Sequence, residues 1–161
     1  RLVKNGKINK DLFAGATINT PSMLCVEDYL AALEWAEQIG GVESLWARAD
    51  SNLEVIERWV DVTPWVDFLS EREEWRSNTS ICLKITAGWF LSASSEKQKE
   101  ITKGMVQRLE SEKVAYDIES YRSAPPGLRI WGGATVEPSD IELLLPWIEW
   151  SYRQAKTKFS D

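Results

Sequence analysis

Short apolar runs of strand type alternate with helix-spaced apolar stripes through the later part of the chain, separated by turn residues. That alternation constrains the fold more than any other feature, because one element cannot satisfy both period 2 and period 3.6. Residues 81–85 are β-rich and predict a strand. Residues 95–113 predict a helix with Ile101, Met105, Val106 and Leu109 on one face and Ser94 or Ser95 as its cap. Residues 114–118 read as a brief strand, and 128–133 as another that ends at Gly132-Gly133. Ahead of these, Trp65, Val66, Phe68 and Leu69 suggest a short strand or extended piece, followed by an exposed turn at Glu71-Arg72-Glu73-Glu74. Pro138 opens a last helix with Ile141, Leu144, Leu145, Ile148 and Tyr152 as its buried stripe. Pro146 within it predicts a kink or a late start. From about residue 65 the order reads β-α-β-β-α, a small two-layer α/β domain with helices on one face of a sheet.

The earlier part is helical. Residues 1–16 are basic and Gly-punctuated, more a connecting segment than an element. Thr20 is a plausible N-cap, with Pro21 at the first helical position. Val26, Tyr29, Leu30, Leu33 and Ala36 follow at helical spacing until Gly40-Gly41 breaks the run. A second, longer helix then carries Val42, Leu45, Trp46, Ala49, Leu53, Ile56 and Val60, and stops before Thr63-Pro64.

Composition narrows the chemistry. A chain of 161 residues with nine Trp, 43% hydrophobic and 27% charged, has the makings of a folded domain with its own core. A net charge of −6 without a Lys/Arg run argues against a nucleic-acid surface. No apolar run is long enough to span a membrane, and no secretory signal is visible, so a cytoplasmic location is expected. Histidine is absent, which removes Ser-His-Asp, Cys-His and His-based metal sites. Cys25 and Cys82 are too few for a thiolate cage or disulfide framework and read as reduced thiols.

Two places carry candidate chemistry. Arg122 and Arg129 flank Ser123-Ala124-Pro125-Pro126-Gly127-Leu128, in which Pro126-Gly127 reads as a turn. Arg129 falls within an apolar run, so its permanent charge requires an anion or an exit to water. With Arg122 folded to the same side, two guanidinium forks suit a small polyanionic substrate. The residues leave open that Arg129 is an edge-strand arginine in solvent or paired with a carboxylate. Asn19-Thr20 at a helix start suits a phosphate, though a plain N-cap with a solvated asparagine is the commoner arrangement.

The stretch from Gly15 through Asn19-Thr20-Pro21-Ser22 to Leu30 closely resembles the segment after the cofactor lysine in phosphoserine aminotransferases. Pro125-Pro126-Gly127-Leu128-Arg129-Ile130-Trp131, running on to Gly133-Ala134-Thr135-Val136-Glu137, resembles them too, as do Arg76-Ser77-Asn78-Thr79-Ser80 and Ala115-Tyr116-Asp117-Ile118. The resemblance implies a fold-type-I pyridoxal 5'-phosphate enzyme moving an amino group between O-phosphoserine and 2-oxoglutarate in serine biosynthesis. It implies a homodimer whose subunits have a large cofactor domain and a small C-terminal α/β domain. Residues 1–61 would then be the end of the large domain with its linking helices, and 62–161 the small domain. Asn19 and Thr20 would reach the cofactor phosphate of the neighbouring subunit. Arg129 would hold the substrate α-carboxylate, and Arg122 the substrate phosphate or the side-chain carboxylate of glutamate. Tyr121 stands where some members have histidine, and the spacing between the arginines is one residue longer than in those members. The Schiff-base lysine falls upstream of the matched segment, so the chain is expected to be the back part of a longer enzyme, inactive alone. Alternatives are a related aminotransferase or desulfurase with another substrate, and a free-standing acidic α/β binding module.

Overall fold

The computed structural model describes residues 2–16 and 19–159. The chain divides into two compact units, Arg1–Val42 and Glu43–Asp161.

The first unit starts with a small antiparallel hairpin, β1 (Val3–Lys4) and β2 (Lys7–Ile8), in the register Val3↔Ile8 and Lys4↔Lys7. Its loop is Asn5-Gly6, both at positive φ (53° and 73°), the two-residue turn whose twist matches paired strands. This corrects the expectation of a featureless connector. A 3-10 turn follows at Lys10–Ala14, then helix α1 (Met23–Gln38). Its N-cap is Ser22, whose hydroxyl accepts from the Cys25 backbone N–H at 3.5 Å. The predicted cap, Thr20, lies two residues ahead of it. Pro21 cannot donate, but Ser22 can take an extended conformation (φ −66°, ψ 111°) and offer its oxygen to the first turn. α1 buries none of its residues. Gly40 (φ 110°) and Gly41 (φ 77°) then carry the chain into α2 (Gly41–Asp61), as their pairing predicts.

In the second unit, α2 lays Ala49, Asn52, Val55, Ile56 and Trp59 into the core, then ends ahead of Thr63-Pro64. A three-stranded antiparallel sheet follows in the order β3 (Val66–Phe68), β4 (Ser80–Ile85), β5 (Gly127–Trp131). The register pairs Phe68 with Leu83 and, across β4 and β5, Cys82 with Arg129. Val66, Phe68, Ile81, Leu83, Ile85, Leu128 and Ile130 point into one core with the helices. The alternate residues, including Asp67, Cys82, Lys84, Arg129 and Trp131, form the other face, which is half-exposed to exposed. A short α3 (Gly88–Leu91) leads to α4 (Ser95–Ser111), whose N-cap Ser94 accepts from Lys97 N–H. Ile101, Met105, Val106 and Leu109 are buried as predicted. Burial pushes the pKa of the Arg108 guanidinium down, but an arginine stays protonated, and it donates to the Ser151 carbonyl of α5. α5 (Pro138–Phe159) runs through Pro146 without a late start and buries Ile141, Leu145, Ile148 and Tyr152. Tyr152 stacks on Trp65 with ring centroids 3.8 Å apart.

The two-layer α/β architecture is as expected, but the element order is β-β-α-α-β-α. Residues 114–118 form no strand. Lys113 (φ 59°) and Asp117 (φ 53°) are both left-handed, which breaks the extended run at each end. Ala115 and Ile118 are nevertheless buried, so the apolar pattern marks core positions within an irregular loop. The turn between the arginines also moves. Gly127 lies in β5 opposite Lys84, and a Cβ there would stand 2.1 Å from the Leu83 carbonyl oxygen. Glycine is required at that position for close strand approach. The turn forms earlier, where Ala124 N–H donates to Tyr121 O at 2.9 Å.

Candidate functional site

Arg129 sits in the middle of β5 on the open face of the sheet. Leu128 and Ile130 alternate into the core, so the pleat sends Arg129 the opposite way. Its backbone N–H donates to Ile118 O at 2.9 Å, and Glu119 bridges to Leu128, so β5 is held on both edges. The guanidinium is 32% exposed and donates to Asp117 Oδ2 at 3.1 Å. Asp117 is 88% exposed and reaches Arg129 from a left-handed backbone, a conformation that aspartate tolerates better than most residues. So solvated a pair contributes little to stability, about 0–1 kcal/mol. An incoming carboxylate can displace Asp117 from the fork at small cost.

Arg122 occupies the first corner of the Tyr121–Ala124 turn. Alone among the described arginines it makes no hydrogen bond or ion pair. It lines a cleft of about 400 Å³ between α4 and the loop that precedes β5, together with Lys99, Lys103, Glu100 and Glu119. Arg129 does not line this cleft. The two arginines are therefore near in sequence and joined by one loop and strand, but they do not share one cavity of this chain.

Asn19 and Thr20 belong to the first unit. Both are exposed, three and two residues ahead of the α1 cap, while their neighbours Thr17 and Ile18 lie outside the described residues. An amide and a hydroxyl form a donor set suited to phosphate oxygens.

Two residues that position the β5 end escape sequence reasoning. Asn52 is fully buried, and its amide donates to the carbonyls of Gly132 (2.9 Å), Gly133 (3.2 Å) and Val136 (3.0 Å). Arg48, one turn earlier on α2, donates to Ala134 O at 2.7 Å and pairs with Glu137. The clue was a single asparagine on the apolar stripe between Ala49 and Ile56, where a polar side chain must find partners. Gly132 has no room for a side chain, since a Cβ would stand 2.7 Å from Ile81 Cδ1.

A second cavity, of about 320 Å³, is bordered by Phe68, Trp75, Arg76, Ile81 and Cys82. Its arginine is committed: Arg76 pairs with Glu57 at 3.4 Å and lies 4.1 Å over the Phe68 ring. Among the described residues no three His, Cys, Asp or Glu side chains are grouped to hold a metal. No helix among them is long and apolar enough to cross a membrane.

No protein-family profile matches the chain. Individual proteins do. Phosphoserine aminotransferases of Methanosarcina mazei and Methanosarcina barkeri are each 53% identical to it over 156 residues, which is 97% of this chain and 40% of each relative. The chain thus spans about two fifths of the length of the curated relatives it matches. Among solved structures, a phosphoserine aminotransferase from Bacillus circulans subsp. alkalophilus superposes with a TM-score of 0.71 at 20% identity, covering 89% of this chain and 36% of that one. Another, a phosphoserine aminotransferase studied for radiation damage of its Schiff base, gives 0.70 at 13% identity over the same shares. At those identities the superpositions speak for the fold, and the identity to the two Methanosarcina proteins speaks for descent. Over nearly its whole length this chain is similar to one part of these phosphoserine aminotransferases.

Proposed function

We propose that the complete enzyme containing this chain transfers an amino group between O-phosphoserine and 2-oxoglutarate in serine biosynthesis, in the cytoplasm. The observation that carries the reading is 53% identity to proteins named for that activity across nearly all of this chain. In this reading residues 1–61 close the large cofactor domain and link it to the small domain, residues 62–161. α2 is the linking helix, and its later turns are built into the small-domain core.

The cofactor is pyridoxal 5'-phosphate, which when bound supplies the electron sink for breaking the substrate Cα–H bond. Everything this chain adds is binding and orientation. Asn19 and Thr20, an exposed amide and hydroxyl, hold the cofactor phosphate of the neighbouring subunit in a homodimer. Arg129 exchanges Asp117 for the substrate α-carboxylate and grips it with two parallel N–H bonds, which fixes the orientation of Cα. Arg122, with no partner of its own, takes the substrate's other anionic end, the phosphate of phosphoserine or the side-chain carboxylate of glutamate.

Exposed apolar surface supports a larger assembly. Met23, Leu24, Tyr29 and Leu30 of α1 are exposed, as are Trp46, Trp75, Trp131 and Trp147. A free-standing binding module would close such a surface, so that reading is disfavoured. The assay compares O-phosphoserine with alanine as amino donor in the complete enzyme carrying Arg122→Ala. Loss should be at least tenfold larger with phosphoserine; equal losses would remove phosphoserine as the assigned substrate.

A further inference from the structure

The indole of Trp131 is 59% exposed, yet the chain is built to hold it in place. A Cβ at Gly133 would stand 2.4, 2.6 and 3.0 Å from Cζ2, Cε2 and Nε1 of Trp131, its three nearest atoms. Gly133 does not lie at positive φ, so its backbone alone would accept alanine. It is the ring that requires glycine there. The backbone under the ring is fixed in turn. Asn52, fully buried on α2, donates to the carbonyls of Gly132, Gly133 and Val136, and Arg48 donates to that of Ala134. A solvated side chain ordinarily keeps its rotamer freedom, whereas this one is set in advance, as a contact surface for a ligand is.

Trp131 follows Arg129 by two residues, so both stand on the open face of the sheet, about 6.6 Å apart along the strand. Two residues the other way is Gly127, which has no side chain. The cross-strand neighbours of Arg129 and Trp131 are the small Cys82 and Ser80. On that face of β4 and β5, Trp131 is therefore the bulky apolar neighbour of the Arg129 fork. We infer that Trp131 is a positioning residue for the substrate, its indole forming the wall that keeps water from one side of the α-carboxylate held by Arg129. This rests on the reading that Arg129 receives that carboxylate. An indole excludes water without offering a competing anion, and charge-assisted hydrogen bonds strengthen as water is removed. Every amino-acid substrate carries the same α-carboxylate, so the wall should serve all of them equally.

The test uses the complete enzyme with Trp131→Ala, Trp131→Phe, Gly133→Ala and the double variant Trp131→Ala/Gly133→Ala. KM and kcat are read separately for O-phosphoserine and glutamate at about 0.05 and 0.5 M salt. Glutamate binding is read by calorimetry, and urea unfolding follows stability. Trp131→Ala should raise both KM values and the glutamate Kd about fivefold, and to the same degree. Their rise with salt should steepen, because the ion pair is then open to screening. kcat and the urea midpoint should hold, and Trp131→Phe should recover most of the loss. Gly133→Ala must push the indole aside, so it should give a similar rise when Trp131 is present and add nothing in the double variant. Unchanged KM and Kd in Trp131→Ala would overturn the inference, and a loss of stability alone would make Trp131 an assembly contact instead. Additive losses in the double variant would overturn it as well. If either result accompanies normal phosphoserine turnover, the aminotransferase reading survives without the wall. If glutamate binding depends on Trp131 but phosphoserine is not turned over, the wall stands and the phosphoserine reading falls.

Discussion

Asn52→Ala should destabilise the second unit more than any other single polar truncation in α2. Asn52 is fully buried, and its amide serves three carbonyls, those of Gly132, Gly133 and Val136, at 2.9 to 3.2 Å. An NH₂ group has two hydrogens, so three acceptors amount to about two bonds, one of them shared. A net bond contributes about 1 kcal/mol, and each buried carbonyl stripped of its donor costs about 1–3 kcal/mol. Alanine also leaves a small cavity against Ile81 and the glycine turn. The sum is a loss of about 3 kcal/mol. With a urea m-value of about 1–3 kcal/mol/M, the unfolding midpoint should fall by roughly 1–3 M. Tryptophan fluorescence is the assay, since Trp59 is buried in the same core and Trp65 stacks on Tyr152. A midpoint within about 0.3 M of the unmodified protein would refute the reasoning. It would mean that the Gly132-Gly133 carbonyls find other donors and that Asn52 does not hold the end of β5.

The remaining predictions concern the strand and its arginine. Gly127→Ala places a Cβ 2.1 Å from the Leu83 carbonyl oxygen, so β4 and β5 must separate; thermal denaturation should show a loss of several kcal/mol, on the order of an overpacked core. Gly6→Ala should weaken the β1–β2 hairpin, because Gly6 is at φ 73° with open space around it, so only backbone strain of about 1 kcal/mol is at stake; hydrogen exchange at Lys7 and Asn9 should quicken while the second unit is unaffected. Asp117→Asn keeps a residue that tolerates the left-handed backbone and removes the competing charge from Arg129. Stability should change by less than about 0.5 kcal/mol while the KM for amino-acid substrates falls, and a raised KM would count against carboxylate exchange at Arg129.

Much of this architecture is legible in the sequence because burial is periodic. The stripe of α4, most of that of α5, the alternation in β4 and the Ser94 cap follow from positions that must face a core. Of the stripe expected in α2, only Ala49 and Ile56 are buried, and Val42 and Trp46 are exposed. The failures have local causes. Residues 114–118 have strand-like composition, yet two left-handed residues, Lys113 and Asp117, bend them into a loop from which Asp117 reaches Arg129. Gly127 follows two prolines and imitates a turn, while its actual constraint, the Leu83 carbonyl, comes from a strand more than forty residues away. Asn5-Gly6 is a hairpin turn by composition, but flanking pairs of only two residues give too little alternation to announce strands. In the candidate site, the type of chemistry is visible in the two arginines, but their partners are not. Nothing in the spacing indicates that Arg122 joins Lys99 and Lys103 across a cleft while Arg129 turns to the open sheet face.

The most direct measurement is glutamate formation from O-phosphoserine and 2-oxoglutarate by the complete enzyme containing this chain, compared with its Arg129→Lys variant. The account predicts turnover in the unmodified enzyme and a drop in kcat/KM of about 10- to 100-fold in the variant, since an ammonium cannot reproduce the bidentate grip. No turnover of phosphoserine, or turnover indifferent to Arg129→Lys, would contradict it.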